Sequence, residues 1–228
     1  MPEHACLLLD LDGTLIDIAP TPDSVVVPPD LPGVLVALRE QLGGGLAVIS
    51  GRPIAQIDAL LPGVPMAVAG EHGYAVRHSL DGSVECAAAE PISADFLDAA
   101  AALVARYPGA LLERKARGFV LHYRLAPEAG PVFEAFLRER LSGWPAHRLA
   151  SAHMAWEVKP AGIDKGRAVR EIMARAPFAG RVPVFVGDDV TDEDGMEVAR
   201  AMGGMGLRVQ EHFGDARGVR AWLAGLVR

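Results

Sequence analysis

The sequence is short of cysteine, of positive charge and of long apolar runs, and each shortage excludes something. Two cysteines, Cys6 and Cys86, in 228 residues rule out a disulfide-stapled scaffold. They lack metal-ligand spacing, and both are expected to be buried, reduced thiols. Basic residues number 22 against 29 acidic ones, a formal charge of −7, so the molecule repels polyanions at long range and is not expected to bind nucleic acid generally. No apolar run approaches the roughly 18–20 residues that a membrane span needs. The first nine residues carry no basic leader, and only 6–9 are continuously apolar. Export is not indicated, and the cytoplasm is the default expectation. Internal repeats and low-complexity tracts are absent. What is present is ordinary globular material, 50% apolar and 22% charged with mean hydropathy +0.21, enough for one large domain or a domain with an insertion.

The N-terminal half alternates apolar runs with helical spacing. CLLLDLD at 6–12 is apolar up to its acidic end, as in a strand buried on both faces of a parallel sheet. Leu31, Val34, Leu35, Leu38 and Leu42 predict a helix that Gly43 stops. LAVIS at 46–50 predicts a second strand, Ile54, Ile57, Leu60 and Leu61 a second helix, and Met66 to Ala69 a third strand. This alternation indicates an α/β fold with right-handed crossovers. Residues 75–90 predict a hairpin turning at Asp81 and Gly82. The pattern then changes: a helix capped by Ser93, extended stretches at 111–114 and 119–124, a helix ending near Leu141, and extended stretches at 147–150 and 153–159. That order describes an inserted α-β-β-α-β-β module. The parallel pattern resumes with a helix through Val169 and Ile172, a strand at 182–186, a helix after Thr191, a short strand at 206–209 and a closing helix containing Trp222.

Carboxylates gather at the carboxyl ends of the predicted strands, where open parallel sheets place ligands. Asp10 and Asp12 end the first strand, and residues two apart share a face. Gly13 and Thr14 are expected to offer backbone N–H groups to phosphate oxygens. Ser50, Gly51 and Arg52 end the second strand, and Asp188 and Asp189 the later one. Thr191 with Asp194 is read as a helix-capping pair. Asp10, Asp12 and Asp188 converging on one sheet edge would repel one another unless a cation joined them. Oxygen-only ligation favours Mg²⁺, and the nearby Ser50 and Lys165 complete a phosphate pocket.

DLDGTL at 10–15, SGR at 50–52, Lys165 within GIDKG and GDDVTDE at 187–193 resemble, in order, the four motifs of the haloacid-dehalogenase-like (HAD) phosphatases. The inserted module resembles the cap of their sugar-phosphatase branch. AGEHG at 69–73, ERK at 113–115, LHYR at 121–124 and WEVKP at 156–160 are similar to the trehalose-6-phosphate phosphatase family. Leu11, in place of a common Tyr, and Met196, in place of a frequent aromatic, depart from that pattern.

The resemblance implies a HAD-like Rossmannoid parallel core at 1–90 and 160–228 and an inserted α+β cap at 91–159. It also implies Mg²⁺-dependent hydrolysis of trehalose 6-phosphate through an aspartyl-phosphate. Asp10 would be the nucleophile and Asp12 the general acid and base, while Ser50 and Lys165 would hold the phosphate oxygens. Mg²⁺ would sit on Asp10, the Asp12 main-chain carbonyl and Asp188, with Asp189 and Asp192 orienting its waters. Glu113, Lys115 and Glu157, with Arg52 and His72, are the expected sugar-binding residues. The other reading of Glu113, Lys115 and Arg124 is plain exposed charge on an edge strand, and His122 and Tyr123 are read as packing residues. Arg77 and His78 are unassigned. Cap closure would exclude water from the first transfer and admit it for the second. A stand-alone monomer acting on a small sugar phosphate, with no nucleic-acid or membrane partner, is expected. Open alternatives are a phosphatase for sucrose, mannosylglycerate or glucosylglycerol phosphate, a phosphomutase, and a catalytically idle sugar-phosphate binding module.

Overall fold

The computed structural model describes residues 4–65, 67–152 and 154–227. Met66, the expected start of the third strand, and His153, expected at the head of the last extended stretch of the insertion, lie outside the described residues. The chain forms two compact units, one made of the residues up to Ala87 together with those from Asp164 onward, the other of Ala88–Ile163.

In chain order the elements are β1 (Ala5–Leu9), α1 (Leu31–Gln41), β2 (Leu46–Ile49), α2 (Ile54–Leu60), β3 (Ala67–Gly70) and the hairpin strands β4 (Ala75–Arg77) and β5 (Val84–Cys86). The second unit follows as α3 (Ala94–Val104), β6 (Leu111–Arg114), β7 (Phe119–His122), α4 (Ala129–Leu141), β8 (His147–Ala152) and β9 (Ala155–Pro160). The chain returns to the first unit as α5 (Lys165–Met173), β10 (Val182–Gly187), α6 (Glu193–Ala201), β11 (Met205–Arg208), α7 (Val209–His212) and α8 (Ala216–Leu226).

The first unit is a seven-stranded sheet in the order β11-β10-β1-β2-β3-β4-β5. Its first five strands pair in parallel, and the β4–β5 hairpin extends them antiparallel. Every residue of β1 is buried, because the two faces serve two cores. Leu7 and Leu9 pack with Leu35 and Leu38 of α1 and Leu223 of α8, whereas Cys6 and Leu8 pack with Val169 and Ile172 of α5 and Met196 of α6. Burial on both sides is why the strand lacks polar alternation. Each fully buried leucine contributes roughly 1.5–3 kcal/mol. Consecutive chain elements run outward from β1 on one side and from β10 on the other, so the carboxyl ends of these two neighbours border the crevice where such sheets bind ligands.

The second unit is an antiparallel sheet, β6-β7-β9-β8. Leu112, Phe119, Leu121 and Val158 of this sheet pack against Phe96 and Ala100 of α3 and Phe133 and Leu137 of α4. Phe96 meets Phe119 edge to face at 5.3 Å. Strand alternation places Glu113, His122 and Glu157 on the opposite face. Ser93 caps α3 as expected, its side chain accepting from the Phe96 N–H at 3.3 Å.

Three expectations are corrected. Cys86 is exposed, because β5 is the sheet's edge strand and buries neither face. Thr191 and Asp194 are not the capping pair: Asp189 and Asp192 exchange side-chain and backbone hydrogen bonds around the 3-10 turn Val190–Asp192, and α6 starts at Glu193, one residue later than that pairing assumed. The last strand ends at Arg208, with Val209 opening α7.

Candidate active site

Asp10 lies just past β1, its N–H donating to the Val186 carbonyl of β10 at 2.9 Å. The strand itself stops at Leu9, so the two-residue argument for Asp10 and Asp12 does not apply, and they have different partners. The chain turns at once: the Leu11 carbonyl accepts from Thr14, Leu15 and Ile16, and the Gly13 N–H donates to the Ile16 carbonyl at 2.8 Å. The amides of Gly13 and Thr14 are therefore spent inside the loop and are not the expected phosphate cradle. Gly13 has φ +83°, and a Cβ there would lie 2.3 Å from Asp188 Oδ2. Only glycine permits both that conformation and that approach.

Lys165, the first residue of α5, is 3% exposed. Its Nζ donates to Asp10 Oδ1 at 2.6 Å and to Asp192 Oδ1 at 2.5 Å. Burial disfavours the ammonium, but the charges of Asp10 and Asp192 and the hydrogen bonds to both outweigh burial and hold Lys165 above its ordinary range. Asp192 is fully buried, and its Oδ2 accepts from the N–H groups of Asp188 and Asp189, each at 3.0 Å. It thus ties the loop after β10 to Lys165. Asp189 turns its carboxylate to the Thr191 N–H.

Asp10, Asp188 and Asp192 each bring a carboxylate oxygen within 4.8 Å of the others. Burial first, then the Asp192 carboxylate, raises Asp10 well above the usual range, with Lys165 opposing and Asp188 adding to the rise. Burial, Asp192 and Asp189 push Asp188 up to about 7. Asp188 Oδ1 is buried and has no hydrogen-bond partner among the described residues. Three carboxylates beside one ammonium, one of them with an orphaned buried oxygen, fit a hard divalent cation.

Ser50 follows directly on β2 at 1% exposure, and its Oγ accepts from the Arg52 N–H at 3.2 Å. Arg52 grips Asp12 with two bonds of 2.7 Å, Nε to Oδ2 and Nη2 to Oδ1. The side chains of Asp12 and Arg52, expected to serve the leaving group and the sugar, therefore engage one another. After β3, Glu71 (φ 49°) and His72 (φ 57°) take left-handed conformations. Their N–H groups donate to the carbonyls of Arg52 and Ser50 at 3.0 Å each, which joins this turn to the end of β2. The buried His72 ring lies against Gly51, where a Cβ would come within 2.7 Å of Nε2.

Glu113, Lys115 and Glu157 belong to the second unit. Glu113 Oε2 is 2.8 Å from His122 Nε2, and Lys115 Nζ donates to Glu157 Oε1 at 2.8 Å. Burial opposes the Glu113 carboxylate, but the bond to His122 and the charge of Lys115 hold it below its ordinary range. His122, read from sequence as packing, is instead the partner of a carboxylate. Arg77 pairs with Asp58 through two 2.7 Å bonds. Sequence reasoning also missed Arg208 at the end of β11, whose Nη1 lies 3.5 Å from the Asp188 carbonyl and whose Nη2 pairs with Glu193. Its position at a strand's carboxyl end was the available signal.

The sequence profile of the trehalose-phosphatase family matches residues 8–218. The chain is 40% identical over 201 residues to trehalose-6-phosphate phosphatase of Escherichia coli (strain K12), covering 88% of this chain and 75% of that one. It is 40% identical over 211 residues to a probable trehalose-phosphate phosphatase of Sinorhizobium fredii, covering 91% and 78%. Among solved structures, the C-terminal domain of C. albicans trehalose-6-phosphate phosphatase superposes with TM-score 0.81 at 21% identity, covering 98% of this chain and 92% of that one. The sucrose-phosphatase of Synechocystis gives 0.56 at 17%, covering 95% and 91%. These two likenesses bear on the fold, which is HAD-like. A profile spanning both units, with relatives this similar along most of their length, establishes that the chain belongs to the trehalose-phosphatase family.

Proposed function

We propose that the chain is a Mg²⁺-dependent phosphatase that hydrolyses trehalose 6-phosphate to trehalose and phosphate through an aspartyl-phosphate on Asp10. The observation that carries this reading is the buried Lys165 ammonium bound to Asp10 and Asp192 beside the orphaned oxygen of Asp188. Lys165 occupies Asp10 Oδ1, which leaves Oδ2 to attack phosphorus in line as the bond to the sugar oxygen breaks. Asp12 delivers a proton to that oxygen, and one of its two contacts with Arg52 opens to allow it. Asp12 then takes a proton from the water that attacks the aspartyl-phosphate, and phosphate leaves. The Ser50 hydroxyl and Lys165 hold phosphoryl oxygens. Mg²⁺, held by Asp10, Asp188 and the Asp12 main-chain carbonyl, would supply charge neutralisation of the transferring group. Asp192, and Asp189 beside it, keep that loop in place.

The catalytic core is taken as 1–90 and 160–228, and the cap, 91–159, as the source of sugar recognition through Glu113, Lys115 and Glu157, with Arg52 and His72 contributed by the core. A site built to hydrogen-bond many hydroxyls rejects sugars lacking them strongly. The test is phosphate release from trehalose, sucrose, mannosylglycerate and glucosylglycerol phosphates with Mg²⁺, alongside mass-spectrometric trapping of phosphate on Asp10. Trehalose 6-phosphate is expected to be preferred, and Asp10→Asn to abolish both turnover and labelling. Equal turnover of all four esters overturns the substrate, and normal activity of Asp10→Asn overturns the covalent route.

A further inference from the structure

Away from the aspartate cluster, one other group of metal-ligating side chains occurs among the described residues. His78, Glu85 and Glu171 each offer a ligand atom, all within 4.8 Å of one another. They come from three elements: His78 follows β4, Glu85 lies on β5 and Glu171 on α5. An independent feature points into the same spot. His78 Nε2 is buried without a hydrogen-bond partner among the described residues. Glu171 Oε1 stands 3.8 Å away, beyond hydrogen-bond range.

We propose that His78, Glu85 and Glu171 form a second divalent-cation site, selective for an imidazole-seeking ion of the Zn²⁺ class and separate from the all-oxygen aspartate cluster. The donor set decides the class: one ring nitrogen and two carboxylates suit Zn²⁺, whereas Mg²⁺ takes oxygen. Zn–N and Zn–O bonds of about 2.0–2.2 Å put tetrahedral ligands roughly 3.3–3.5 Å apart. The 3.8 Å between His78 Nε2 and Glu171 Oε1 exceeds that spacing by only about 0.3–0.5 Å. Burial and then the Arg175 charge hold His78 below its ordinary range despite the opposing pull of Glu85 and Glu171, which favours the neutral, ligating imidazole.

Both carboxylates have a cationic partner in the absence of the ion. Arg175 spans Glu85 with bonds of 2.6 and 2.8 Å, and Arg167 lies 2.7 Å from Glu171. The Arg175–Glu85 pair is half exposed, and such pairs contribute little, so an incoming ion displaces Arg175 into solvent. A bound ion would clamp the β4–β5 hairpin to α5, the helix whose first residue is Lys165.

The experiment titrates the chelator-stripped full chain with Zn²⁺ by calorimetry, and with Co²⁺ by visible absorption, both at saturating Mg²⁺ so that the aspartate cluster is occupied. One Zn²⁺ per chain is expected. His78→Ala and Glu85→Gln should weaken it by at least ~100-fold, the upper end of what loss of a ligand's supporting partner costs, and abolish the tetrahedral Co²⁺ band. Arg175→Ala should tighten it. Melting of the metal-free variants checks folding, and the exposed Glu85→Gln decides the matter if His78→Ala fails to fold. Absence of Zn²⁺ uptake at saturating Mg²⁺, or uptake unchanged in Glu85→Gln, overturns the proposal.

Discussion

Gly13→Ala separates what the fold tolerates from what the site needs. The new Cβ would stand 2.3 Å from Asp188 Oδ2, 2.5 Å from its Cγ and 2.7 Å from Oδ1, whereas ordinary contact begins at 3.4 Å. The Asp188 carboxylate must therefore retreat by roughly an ångström. As the free end of a side chain it can do so at small cost to stability. The backbone adds the strain of an alanine in a left-handed conformation, about 1–2 kcal/mol. Gly63 supplies the control, with φ +67° and nothing within 4 Å of its Cβ position, so Gly63→Ala carries the backbone strain alone. Both variants should lose a similar ~1–2 kcal/mol in urea unfolding. Only Gly13→Ala should lose phosphate release, by about 100-fold for an ångström of misplacement, with a raised Mg²⁺ requirement. Full activity of Gly13→Ala at the wild-type Mg²⁺ concentration would refute the placement of Asp188 in the site. An equal loss in Gly63→Ala would show that backbone strain, not the carboxylate, sets the effect.

Lys165→Met removes the ammonium shared by Asp10 and Asp192. It should cost about 3–5 kcal/mol, as stranding buried charge does; a urea midpoint that saturating Mg²⁺ fails to raise in this variant would contradict a cation among these acids. Glu113→Ala and Lys115→Ala should impair hydrolysis of the sugar ester far more than that of a small aryl phosphate, and equal losses on both return them to ordinary surface charge. His122→Ala, which frees the Glu113 carboxylate, should raise KM for the sugar ester with kcat nearly kept, and His122→Asn should restore part of the loss. Burial holds His147 below its ordinary range. As pH falls through about 6.5, the unfolded chain takes up a proton that the folded one refuses, and stability drops. His147→Gln should flatten the fall in urea midpoint between pH 7.5 and 5.5, and an unchanged slope would remove His147 from the pH response.

Much of this architecture is written locally. β1 and β10 are apolar runs too short for helices, and their acidic ends are visible without coordinates. Their adjacency is not, because Ala5 pairs with Val182 across a distance in sequence that no period spans. The same holds for Lys165 and Asp10, which only the ordered motifs of the family linked beforehand. The contacts that the sequence did not reveal have a common physical source. The amides of Gly13 and Thr14, the cap formed by Asp189 and Asp192, the grip of Arg52 on Asp12 and the bond from His122 to Glu113 are all choices among hydrogen-bond partners. Residue type supplies the donors and acceptors, but the fold decides which of them meet. Cys86 failed for a related reason, since burial follows from a strand's place in the sheet and not from its composition.

The charge at the sheet edge is divided in a way that explains why several acids persist there. Lys165 satisfies one oxygen each of Asp10 and Asp192, and the Asp188 and Asp189 amides satisfy the other oxygen of Asp192. Asp192 is thereby saturated by the protein, while Asp188 retains a buried oxygen without a hydrogen-bond partner among the described residues, and Lys165 takes one oxygen of Asp10. The protein thus satisfies both oxygens of the acid that holds the loop and leaves an oxygen of Asp188 without a partner among the described residues. Asp192→Asn should then loosen the loop and lower stability through the lost ion pair with Lys165, whereas Asp188→Asn, which relieves repulsion, should stabilise the metal-free protein while removing activity. If urea unfolding placed the two variants in the opposite order, the division of roles between Asp192 and Asp188 would be wrong.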